Sequence, residues 1–308
     1  MRPYRVKFIF VAVALLLVGV LAESDAIAAQ ASTGGDDHPT FGHVVIIVEE
    51  NSGIGYLLES KKEAPYFNSL AEKYGLATEY YANTHPSIGN YMVLITGQVL
   101  TNNDHETPAS FPVSADNLVR QLAKAGKSWK AYAEGLPEVG YLGADRNLYA
   151  VRHVPIAYLT DLRDVPEQRA NLVPFTQFAQ DLRNHSLPDF SFITPDLCHD
   201  AHHCRIDAMD KWLQAVVPSL LEDQEFKKDG LLIITFDEAW GSDDMHGGGR
   251  IATLLISPAY SKRAYRSTAF YQHQSTLRLI LEGLGLDVEI EAVKDAAPMW
   301  EFFDVKPD

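Results

Sequence analysis

Two stretches of this chain are apolar at almost every position, Val44-Val45-Ile46-Ile47-Val48 and Leu231-Leu232-Ile233-Ile234-Thr235-Phe236. A strand with one wet face alternates apolar and polar residues. A strand apolar throughout is buried on both faces, as in the middle of a parallel sheet. Such a sheet needs crossover helices to cover it. The rest of the pattern agrees. Helices are expected over 64–74, 115–125, 174–183, 207–221 and 275–284, with further strands over 76–82, 128–134, 189–194 and 251–257. The fold class is therefore α/β: a three-layer αβα sandwich with a mainly parallel sheet.

The first residues stand apart from this pattern. Arg2, Arg5 and Lys7 precede an apolar run from Phe8 to Ala22, and Ala26-Ile27-Ala28 follows as an A-x-A cleavage pattern. Residues 1–29 are read as a secretory signal peptide. The apolar run is roughly 15 residues, short of the about 20 that cross a bilayer. An uncleaved anchor is the rival reading, and no stable membrane span is expected after cleavage. Residues 30–308 carry no linker or internal repeat and are read as one domain. The expected location is secreted or periplasmic. Asp and Glu outnumber Lys and Arg by 41 to 26, which excludes nucleic acid as a partner on electrostatic grounds.

An oxidising compartment bears on the two cysteines, Cys198 and Cys204. A close pair in an exported protein reads as a disulfide. It would hold His199-Asp200-Ala201-His202-His203 still. A zinc site is the alternative, but the spacing departs from structural zinc patterns.

Four expected strands run into polar clusters. These are Glu50-Asn51, the turn His85-Pro86-Ser87-Ile88-Gly89-Asn90, the loop from Asp196 to His203, and Asp237-Glu238. In a parallel sheet these ends share one edge, where ligands of open α/β sheets collect. Glu50, Asn51, Asp237 and Glu238 supply oxygen ligands for Mg²⁺, Ca²⁺ or Mn²⁺, with Zn²⁺ also open. A cation would also relieve the crowding of the carboxylates. With Ser87 in that shell, its hydroxyl becomes a nucleophile. The helix start and Asn90 would then hold phosphoryl oxygens, and nearby histidines would protonate the leaving alcohol. The reaction class is phosphate-ester hydrolysis through a phosphoserine. Taken alone, Ser87 reads first as a helix N-cap, and only the carboxylates at the other strand ends shift that reading. Tyr141, Tyr149, His153 and Tyr158 are read as packing under the long loop 135–172, and His273 as a cap or packing residue.

The motifs Val48-Glu49-Glu50-Asn51, His85 to Tyr91, Pro195-Asp196 through His202, and Phe236-Asp237-Glu238, in this order, resemble the bacterial phosphoesterase family of phospholipases C and secreted acid phosphatases. The closer likeness is to small acid phosphatases that act on phosphatidylinositol 3-phosphate. The resemblance implies an alkaline-phosphatase-like fold and one or two divalent ions. Glu50, Asn51, Ser87, Asp237 and Glu238 would be the ligands. Ser87, His85, His202 and His246 would be catalytic, and Asn90, Asp200 and His199 would bind substrate. The substrate would be a small phosphate ester or a phosphoinositide. A phospholipase C-like phosphodiesterase and a non-catalytic exported binding protein are the alternatives. The chain departs from the family pattern at Gly89, where proline is common.

Overall fold

The computed structural model of the protein describes residues 38–304, so the expected signal peptide lies outside the described residues. The strands are β1 (His43–Glu49), β2 (Gly75–Tyr81), β3 (Trp129–Ala133), β4 (Leu172–Pro174), β5 (Phe190–Thr194), β6 (Gly230–Phe236), β7 (Arg250–Ile256) and β8 (Arg266–Tyr271). The α-helices are α1 (Ile54–Glu59), α2 (Pro65–Lys73), α3 (Ser87–Thr96), α4 (Leu118–Lys124), α5 (Thr160–Arg163), α6 (Pro166–Arg169), α7 (Thr176–Arg183), α8 (Ile206–Glu222), α9 (Phe226–Asp229) and α10 (His273–Gly283).

The strands form one sheet in the order β4-β3-β5-β1-β6-β7-β2-β8. The apolar runs sit at its centre, as their composition requires. β1 lies between β5 and β6, parallel to both, with Ile47 level with Ile193 and Ile234. β5 and β6 are buried at every position. Burial on both faces needs two helical layers. In one group α2 packs on α8; in the other α3 packs on α10 and α4. This is the αβα arrangement that the sequence predicts.

Two features were not legible. β7 runs antiparallel to both β6 and β2, so β2 returns to the direction of β1. β8, at the edge, is exposed at four of its six positions, and β4 is only three residues long. Neither carries the dense apolar signal of a central strand. The long loop 135–172 holds 3-10 turns at Val151–His153 and Pro155–Tyr158 besides α5 and α6. The carboxyl ends of β1, β2, β5 and β6 share one edge of the sheet, and the site lies there.

Candidate active site

β1 delivers two adjacent glutamates to that edge, and both are sealed from solvent. Burial pushes Glu49 well above the usual carboxylate range, reinforced by Asp200, Glu134 and Glu50. Glu50 meets the same burial, but His153 and His202 outweigh it and hold its carboxyl at about 2. Glu50 Oε2 accepts from Asn51 Nδ2 at 2.7 Å and from Ser87 Oγ at 3.3 Å. Asn51 takes a positive φ of 51°, and its N–H donates to Asp237 Oδ1 at 3.1 Å. The ends of β1 and β6 are thereby tied together. Glu238 N donates to the same oxygen at 2.6 Å.

Ser87 is the first residue of α3, and Pro86 occupies the N-cap position without a side-chain cap bond. The capping reading of Ser87 is thus corrected: its hydroxyl points to Glu50. The helix start is also less open to an anion than the sequence suggests. Asp104 Oδ1 accepts from Ile88 N at 3.0 Å, filling one of the free N–H groups. Asn90 departs from its expected role as well. Its Oδ1 accepts from Asn83 N and Thr84 N, at 2.9 and 3.1 Å. Its Nδ2 donates to Thr84 O at 2.8 Å and Glu238 Oε2 at 3.2 Å. With both amide hydrogens in use, Asn90 builds the turn and leaves no free donor for phosphate. Gly89 has a packing reason. A Cβ there would meet Asn102 Oδ1 at 2.4 Å and Thr84 Cγ2 at 2.5 Å.

His85 bridges to the next loop. Its Nδ1 is 3.2 Å from Glu238 Oε2, and its Nε2 is 2.9 Å from Asp243 O. Burial pushes Glu238 up to about 7 against the opposing pull of His85, and burial also raises Asp237 well above its ordinary range. The run Gly247-Gly248-Gly249 after β6 is closely packed. A Cβ on Gly248 would lie 2.3 Å from Thr84 O, so the loop after β6 can rest directly on the Ser87 turn.

The group that sequence reasoning undervalued is His153. It is buried, stacked on Tyr91 with ring centroids 5.1 Å apart. Its Nε2 is 3.0 Å from Glu50 Oε1 and its Nδ1 3.2 Å from Asp200 Oδ2. Burial pulls the imidazole down, but Glu50 and Asp200 prevail and raise it to about 9. A signal was present: a histidine inside Val151-Arg152-His153-Val154-Pro155-Ile156 is a buried histidine that needs polar partners.

The remaining expected residues divide. Asp200 joins the cluster through His153, and burial pushes its carboxyl up to about 6. His202 is exposed beside it, with its ring 5.9 Å from that of His153. His199 instead turns to Glu134, with Nδ1 2.8 Å from Oε2. His246 is exposed on the loop after β6 and packs on Tyr81 and Phe270 at 4.4 and 4.8 Å. Among the described residues no contact joins His246 to the carboxylates. Cys198 and Cys204 form the expected disulfide across the loop that carries Asp200 and His202. No helix of the described residues is long and apolar enough to cross a membrane.

The donor set suits a divalent cation. Asp237 Oδ2 is buried without a hydrogen-bond partner, and the buried Glu50 Oε1 and Asp200 Oδ2 face only the His153 ring. Glu50, His153 and Asp200 bring one ligand atom each within 4.8 Å of one another. Carboxylates so crowded either take up protons or share a cation, and burial with like charge raises both Asp237 and Glu238 here. Oxygen-rich shells are those of Mg²⁺, Ca²⁺ and Mn²⁺.

Comparison with known proteins agrees with this chemistry. The phosphoesterase family profile matches residues 54–287. A phosphatidylinositol-3-phosphatase of Mycobacterium tuberculosis is 32% identical over 273 residues, covering 87% of each chain. A phosphate-repressible acid phosphatase of Penicillium chrysogenum is 29% identical over 226 residues, covering 71% of this chain and 54% of that one. An acid phosphatase of Aspergillus niger is 30% identical over 259 residues, covering 80% of this chain and 59% of that one. The chain thus spans little more than half the length of these fungal relatives. Among solved structures, a phosphonate monoester hydrolase from Silicibacter pomeroyi superposes with a TM-score of 0.57 at 12% identity, over 87% of this chain and 77% of that one. An alkaline phosphatase superfamily protein from Vibrio parahaemolyticus gives 0.54 at 12% identity, over 82% and 68%. These two likenesses concern the fold. The chain belongs to the phosphoesterase family and is a hydrolase of phosphoric ester bonds.

Proposed function

We propose that the protein is an exported, metal-dependent phosphomonoesterase of the acid phosphatase type, acting through a phosphoserine on Ser87. The observation that carries this reading is the approach of Ser87 Oγ to Glu50 Oε2, at 3.3 Å, at the head of α3. Glu50, Asn51, Asp237 and Glu238 would hold the cation with the Ser87 hydroxyl. When bound, the cation lowers the pKa of that hydroxyl and offsets charge on the phosphoryl oxygens. Glu50 Oε2, at 3.3 Å, orients the Ser87 hydroxyl, whose proton passes to solvent as Oγ forms its bond to phosphorus. The ester oxygen leaves with a proton, for which we assign His202; its exposure beside His153 supports the choice. Water then cleaves the phosphoserine, and phosphate departs. Asn90 and Asp104 fix the turn that aims Ser87.

Export is supported by the amino-terminal sequence pattern and by the disulfide, which forms stably in oxidising compartments. The substrate class is a small phosphate monoester. Turnover of a mono-aryl phosphate against a bis-aryl phosphate separates this reading from a phosphodiesterase. Ser87→Ala is expected to lower monoester turnover by at least about 10³-fold, the scale of nucleophile deletions, with the fold intact. Near-normal turnover in that variant contradicts the mechanism.

A further inference from the structure

Beside the candidate site lies a pocket of about 370 Å³, bounded by Gly53, Ile54, Tyr56, Ala239, Trp240 and Met245. Its walls are chain neighbours of site residues. Gly53 is two residues after Asn51, and Ala239 follows Glu238. Asp243, which also lines the pocket, accepts His85 Nε2 on its carbonyl.

Its lining is unusual for a surface. Trp240 is 62% exposed, Met245 50% and Tyr56 46%. Lone exposed apolar residues are ordinary, but a group of them around one concavity marks a contact site. The nearby charges are already engaged. Arg250 gives its guanidinium to Glu79 at 2.9 Å and to Thr78 O at 2.7 Å. The Asp243 carboxylate accepts from Met245 N and Arg250 N. Tyr56 turns its hydroxyl to Glu63. With these side-chain charges engaged, an alkyl chain or a ring finds apolar walls in Tyr56, Trp240 and Met245.

We propose that this pocket is the leaving-group subsite of the phosphate-ester site, and that it selects esters of apolar alcohols. The proposal rests on the phosphomonoesterase reading given above. Trp240 and Met245 are specificity residues: they bury the apolar part of the alcohol while its phosphate sits at Ser87. The volume matches a single chain or ring, at the lower end of small-molecule sites.

The test compares octyl phosphate, kept below its micelle concentration, with glycerol 1-phosphate. The two leaving alcohols differ far more in polarity than in acidity. The wild type is expected to favour octyl phosphate by about 10-fold or more in kcat/KM, the discrimination a few buried methylenes supply. Trp240→Ala and Met245→Ala should each reduce that ratio several-fold, and Trp240→Phe should largely restore it. Equal turnover of the two esters by the wild type overturns the subsite while leaving the phosphatase intact. So does a variant that slows both esters in the same proportion. Absence of turnover on every monoester overturns the phosphatase reading itself, and the subsite with it.

Discussion

His153 Nε2 lies 3.0 Å from Glu50 Oε1, with both side chains shut away from solvent. On the other side of the ring, Nδ1 faces Asp200 Oδ2 at 3.2 Å. One imidazole thus stands between two carboxylates, and it leaves Glu50 Oε2 facing Ser87. A buried charge with its partner deleted is costly, on the order of 3–5 kcal/mol. His153→Phe, which keeps the ring stack on Tyr91, should destabilise the metal-free protein by about that amount near pH 6. Denaturant titration in chelator measures it.

The same pair predicts a pH signature. His153 is raised from 6.5 to about 9 in the folded protein. A raised histidine contributes stability that is full below the unfolded value and lost as pH rises through the folded one. The metal-free wild type should therefore lose up to about 3 kcal/mol from this group between pH 6.5 and 9, at about 1.36 kcal/mol per unit. His153→Phe should lack that limb. Denaturation midpoints across this range decide the matter.

His273 acts in the opposite direction. Burial lowers it to about 4, against a small opposing pull from Asp237 O, which lies 2.7 Å from its Nε2. Below pH 6.5 the unfolded chain takes up a proton that the folded chain refuses. Stability should then fall as pH drops from 6.5 to 4 and level off beneath that. His273→Gln should flatten this acid limb, whatever its effect on absolute stability.

Gly89→Ala tests the nucleophile turn. The added methyl would meet Asn102 Oδ1, Thr84 Cγ2 and, at 3.1 Å, Thr101 O. Overpacking of this kind costs about 1–3 kcal/mol, and a displaced nucleophile loses on the order of 10²-fold in rate. Activity should fall much further than the thermal midpoint. Full activity in the variant would show that the turn has slack the close contacts do not suggest.

Replacing Cys198 and Cys204 together by serine probes the loop that they close. Only five residues lie between them, so the entropic contribution to stability is small, about 2 kcal/mol. The loop carries Asp200 and His202. Turnover should therefore drop by a larger factor than the stability change accounts for, and kcat rather than KM should carry the loss.

The centre of this molecule was legible because its residues have one solution. A run such as Val44 to Val48 has no wet face to offer, and β1 and β6 lie where that demands. The convergence of Glu50, Ser87, Asp200 and Asp237 follows from parallel strands ending together. What lay beyond reach was contributed by segments with no period. His153 sits in a 3-10 turn of an irregular loop, and Asp104 in a polar stretch before α4; nothing local says which carboxylate or helix either will meet. Asn90 looked like a phosphate contact because its residue type allows it. Its bonds to Thr84 and Glu238 depend on a fold that closes around it. His246 followed the expected order of motifs, but a left-handed residue among glycines turns its ring to Tyr81.

Ser87 should carry a phosphoryl group during turnover. The direct measurement is acid quenching of the metal-loaded enzyme during turnover of an aryl phosphate, followed by mass mapping of its peptides. One phosphoryl group is expected on Ser87 and none on the corresponding peptide of Ser87→Ala. Rapid turnover with every peptide unmodified, and with Ser87→Ala still active, would contradict it.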